Sequence, residues 1–84
     1  MSEMQIGTVS DFFARPVVAG IQLTAPLNAG DTIHIKGHTT DMTLIVTSMQ
    51  VNNVEVKQAK AGDAVGIKLT DRARRGDVIY KVTD

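Results

Sequence analysis

The sequence predicts an all-β protein, a small closed antiparallel barrel of six or seven strands. Three observations carry that expectation. Apolar and polar residues alternate with a period of two along several stretches. Turn signals recur about every 8–15 residues, as in sandwiches and barrels. No apolar pattern with a helical period lasts beyond about two turns.

Taken in order, the first strand is expected over Gln5–Phe13, where the phases of Ile6 and Val9 imply a bulge near Gly7-Thr8. Over Pro16–Thr24, Val17, Ala19, Ile21 and Leu23 alternate with Val18, Gly20, Gln22 and Thr24. Over Asp31–Gly37, Ile33 and Ile35 alternate with Thr32, His34 and Lys36. Met42–Val51 places Leu44 and Val46 on one face but Met49 and Val51 on the other, which predicts a bulge near Thr47-Ser48. Val54–Lys57, Asp63–Thr70 (with Val65, Ile67 and Leu69 in phase) and Val78–Val82 complete the set, all rich in β-branched residues. Thr70–Arg75 is the best candidate for a single helical turn. Gly7, Gly20 and Gly66 inside strands suit a tightly curved sheet. Closure is favoured because a protein this small is poorly served by open strand edges.

The 84 residues make one domain, 1–84, and 43% hydrophobic content is that of a folded protein. No apolar run approaches the roughly 18 residues of a membrane helix. Met1-Ser2-Glu3-Met4-Gln5 lacks the basic and apolar regions of a signal peptide. Without cysteine, neither a disulfide framework nor a thiolate metal site can form. A reduced, cytoplasmic setting is the expectation.

Nine basic residues balance nine acidic ones, which argues against gripping nucleic acid by bulk charge. The charge is uneven, however. Residues 57–75 hold six cations against Asp63 and Asp71, a local +4; residues 1–35 hold Arg15 against Glu3, Asp11 and Asp31, a local −2.

Three Gly-Asp pairs, Gly30-Asp31, Gly62-Asp63 and Gly76-Asp77, each precede a strand, with Ile33, Val65 and Ile79 three places after the glycine. Glycine supplies a positive φ and aspartate bonds nearby amides, so these are turns rather than metal ligands. Their spacings of 32 and 14 residues exclude a tandem repeat. Arg75-Gly76-Asp77 spells an integrin-binding tripeptide and is better explained as the third turn.

The succession of Gly30 to Gly37, Val46-Thr47-Ser48-Met49-Gln50, Ala59 to Ile67 and Arg75-Gly76-Asp77-Val78-Ile79 resembles the second domain of translational GTPases such as elongation factor Tu. Ala61-Gly62-x-x-Val65-Gly66 is its most specific part, and the likeness spans roughly residues 5–83. A similar barrel ends some collagenase-like peptidases. The resemblance implies a barrel of the translation-protein type that helps bind the aminoacyl end of tRNA. The GTPase domain and its phosphate loop are absent from this sequence, so no GTP binding is expected.

The candidate nucleic-acid contacts are Arg72, Arg74, Arg75, Lys57, Lys60 and Lys68, arginine being suited to phosphate by its planar fork. Stacking support is thin, since Phe12, Phe13 and Tyr80 are the only aromatics. One of Phe12 and Phe13 must point away from the core if the strand reaches Phe13. His34 and His38, about 13 Å apart along a strand, do not fit one metal ion. Ser2, Ser10 and Ser48 lie in no nucleophile context, and no pair of carboxylates stands out. No catalytic residue, metal or cofactor is expected. Two readings follow: a module bound to RNA or the ribosome, or a protein-interaction module, including a detached accessory domain of a separately encoded enzyme.

Overall fold

The computed structural model describes residues 2–14 and 17–83; residues 15 and 16, within the expected hairpin, lie outside it. The strands are β1 (Ser2–Ala14), β2 (Val17–Leu23), β3 (Leu27–Asn28), β4 (Thr32–Lys36), β5 (Asp41–Ile45), β6 (Met49–Val51), β7 (Val54–Val56), β8 (Gln58–Ala59), β9 (Ala64–Lys68) and β10 (Val78–Thr83). Eight form one sheet in the order β5-β4-β10-β1-β2-β9-β6-β7, and β3 pairs with β8. Every pairing is antiparallel. The protein is therefore all-β, with ten strands where six or seven are expected. The surplus comes from the two-residue pair β3–β8 and from the division of the expected Met42–Val51 strand.

The period-two pattern places the core. Ala19, Ile21, Leu23, Ile33, Ile35, Val65, Ile67 and Leu69 are all buried, and Ile6, Val9, Leu27, Val46, Met49 and Ile79 join them. Strand β1 contains two register shifts, between Gln5 and Gly7 and between Val9 and Asp11, flanking the single bulge expected at Gly7-Thr8. The first shift lets Ile6 and Val9, three residues apart, both face inward, and the second does the same for Val9 and Phe12. At Thr47-Ser48 the chain leaves its partner altogether: β5 pairs with β4, whereas β6 pairs with β9 and buries Met49.

Among the described residues there is no helix, so the turn expected at Thr70–Arg75 is corrected. That segment is irregular because it is held at each end by non-helical bonds. Leu69 N–H donates to Val17 O, Arg74 N–H donates to the Asp77 carboxylate, and Ala73 is buried between them in sequence. No helix is long and apolar enough to cross a membrane. Phe12 packs against the core while Phe13, its neighbour on β1, is 58% exposed, as a strand continuing through both requires.

Candidate functional site

The three Gly-Asp turns share one construction. Gly30, Gly62 and Gly76 have φ of 95°, 93° and 94°. In each, the aspartate N–H donates to the carbonyl three residues back (Asn28, Lys60, Arg74) at 3.0–3.1 Å, and its carboxylate accepts that residue's N–H at 2.8–3.0 Å. Each glycine N–H donates to a core residue's carbonyl (Val46, Leu23 and Val9), and that residue's N–H returns to the aspartate carbonyl. The aspartates are thus committed to turn amides. Asp77 is only 6% exposed, so Arg75-Gly76-Asp77 presents no free carboxylate to a receptor.

The six expected cations are all exposed. Lys57 and Lys60 precede β9, and Lys68, Arg72, Arg74 and Arg75 occupy or follow its far end, roughly 13 Å along the strand. Arg75 Nη2 donates to Asp11 Oδ1 at 3.0 Å, and Asp71 accepts the backbone N–H of Arg72 at 2.7 Å. Asp63 lies between the two groups in sequence.

Two features escape sequence reasoning. The first is on the outer face of β4. His34 Nδ1 lies 2.9 Å from Glu3 Oε2, and its Nε2 lies 2.6 Å from Asp41 Oδ1. Tyr80 pairs with it across the sheet, ring centroids 6.2 Å apart. Both nitrogens donate only in the imidazolium form. The Asp41 hydrogen bond raises the His34 pKa most; burial opposes it, and Glu3 adds to the rise. Since the two carboxylates engage opposite nitrogens, the arrangement clamps β1, β4 and β5 rather than gathering ligands for a cation. Among the described residues no three His, Cys, Asp or Glu are placed to hold a metal ion. His38 is exposed in the β4–β5 turn.

The clamp is expected to make stability depend on pH. A folded pKa raised above 6.5 means that the contribution is complete below 6.5 and disappears as pH rises through the folded value. The urea midpoint of the wild type should therefore fall as pH rises from below 6.5 to above it, and His34→Gln should flatten that dependence. Equal slopes in the two proteins would remove His34 as the cause.

The second feature is a groove of about 510 Å³ on the outer face of β2, β9 and β6. Gly20 and Gly66 stand opposite each other in its floor, and Gln50 stands opposite Gly66. Phe13 and Val18 wall one side; Asn52 and Asn53, at φ 54° and 64° in the β6–β7 turn, wall the other. Ser10 spends its hydroxyl on the Gly20 carbonyl, 3.2 Å away. No nucleophile and base are brought together here.

No family model matches the chain. An uncharacterized protease of Methanocaldococcus jannaschii is 43% identical to it over 79 residues, a match that takes in 93% of this chain and 19% of that protein. The C-terminal domain of a U32 peptidase-family protein of Geobacillus thermoleovorans superimposes with a TM-score of 0.87 at 16% identity, over 93% of this chain and 91% of that domain. Its selenomethionine variant gives 0.85 at 15% identity, over 90% and 96%. The chain shares the fold of that peptidase domain. These findings overturn the elongation-factor resemblance, and with it the tRNA, ribosome and RNA-binding expectations it supported. The physical reason lies in the residues that carried it. Positive-φ Gly-Asp turns and a glycine within a curved strand specify backbone geometry, which folds with unrelated roles share.

Proposed function

We propose that this chain is a non-catalytic accessory domain of a peptidase-family protein, acting by association with the peptidase body. The observation that carries the reading is the 43% identity over 79 residues to a protease of which those residues are 19%. A segment that corresponds to so small a share of a longer enzyme, and has its own core of sixteen buried apolar residues, behaves as a module. Its chemistry supports a non-catalytic part. The only half-buried histidine is clamped by two carboxylates, and the turn aspartates are bound to backbone amides.

The first test concerns catalysis. The purified chain, incubated with a mixed-sequence peptide library, should release no new termini above a buffer control; turnover that scales with protein concentration would overturn the proposal.

The finer shape belongs to the same reading: the eight-stranded sheet closes into a barrel. Strands β5 and β6 lie in the single run 41–51, one on β4 and the other on β9. Between them Gly30 N–H donates to Val46 O, and Val46 N–H donates to Asp31 O. If this run is the closing seam, the amides of Gly30 and Val46 should exchange with solvent as slowly as those in the middle of β1. Fast exchange at both would leave the sheet open.

A further inference from the structure

We propose that the Gly20–Gly66 groove binds a neutral pyranose ring. The row Asp11, Gly20, Gly66, Gln50 runs across β1, β2, β9 and β6 on the outer face. Its two middle positions have no side chain, leaving a gap of roughly 14 Å between the flanking Cα atoms over bare backbone. Neither glycine has positive φ, and packing does not require the second. A Cβ on Gly66 would meet only Val18 Cγ1, at 3.7 Å. The absence of side chains here matters for what can lie on the floor.

The walls define the occupant. Phe13 offers an exposed aromatic face, the surface on which the C–H side of a sugar ring packs. Gln50, Asn52 and Asn53 offer three carboxamides whose side chains make no hydrogen bond among the described residues. Each supplies donors and an acceptor, matching vicinal hydroxyls, which both donate and accept. The charge fits a neutral ligand. Among the described lining residues there is no cation, and Asp11, the one carboxylate, is engaged by Arg75 at 3.0 Å. Lys68 borders the adjoining hollow rather than the groove. Strand addition by an extended peptide is unavailable at this floor, because β2 and β9 are each paired on both sides.

The test is an amide chemical-shift titration of the isotope-labelled full chain with cellotetraose and chitotetraose, whose equatorial substituents leave flat C–H faces. A tetramer of galacturonate and a short phenylalanine-containing peptide run beside them. Saturable shifts confined to Phe13, Gly20, Gly66 and residues 50–53 are expected with one or both neutral sugars. Gly66→Val, which fills the floor with a residue that strands favour, should weaken binding about tenfold or more while leaving the rest of the spectrum unchanged. Phe13→Ala should do the same. Absence of saturable shifts with both sugars, equal or stronger shifts with galacturonate or the peptide, or sugar binding indifferent to Gly66→Val would each overturn the proposal.

Discussion

Gly37→Ala is expected to destabilise the protein by about 3 kcal/mol, although residue 37 lies in a surface turn. A Cβ there would overlap Asp77 Oδ1 and sit 2.5 Å from its Cγ. Asp77 cannot readily swing aside. It is buried, and its other oxygen accepts the Arg74 N–H at 2.8 Å. All three nearest atoms belong to the Asp77 side chain, which gives the prediction a second arm. Asp77→Ala alone should cost about 1–2 kcal/mol through the lost turn bond. The double variant should cost no more than Asp77→Ala, because the clash goes with the carboxylate. Urea unfolding of the four proteins measures this directly. Additive losses in the double variant would show that Gly37 acts through something other than Asp77.

Replacing Gly30, Gly62 and Gly76 together by alanine should remove about 3–6 kcal/mol, a large part of the 5–15 kcal/mol typical of a folded domain. No atom lies within 4 Å of a Cβ at any of the three, so each cost is purely conformational, roughly 1–2 kcal/mol for a side chain at positive φ. The turns share their geometry, so the three single variants should lose similar amounts. Because the turns share no hydrogen-bonding partner, the losses should add. The melting temperatures of the singles and of the triple check both statements. A single variant with wild-type stability would mean that its turn relaxes to negative φ at no cost.

Those turns are where the sequence was most legible. Glycine before aspartate, followed three places on by an apolar residue, announced both the positive φ and the carboxylate cap, and the structure has both at all three sites. The period-two pattern likewise identified the inward residues of β2, β4 and β9. What escaped depends on register. Glu3 reaches His34 only because β10 lies between β1 and β4, a pairing across 31 residues that periodicity does not encode. The Gly20–Gly66 floor required knowing that β2 and β9 are neighbours with those two glycines in one row. The cationic stretch lost its assigned role with the family resemblance rather than through its geometry. Six charges close in sequence are distributed before and after β9, and Arg75 is already matched by Asp11. The family resemblance failed because backbone requirements recur in folds whose partners differ.

Association with a peptidase body is the claim that matters most, and analytical ultracentrifugation tests it directly. The Methanocaldococcus jannaschii protease lacking its 79 matching residues, which retains about four-fifths of its length, would be mixed with this chain at micromolar concentration. A saturable one-to-one complex is the expected result, unaffected by the Arg72→Ala/Arg74→Ala/Arg75→Ala variant. Two species sedimenting independently at every ratio would contradict the accessory-domain account.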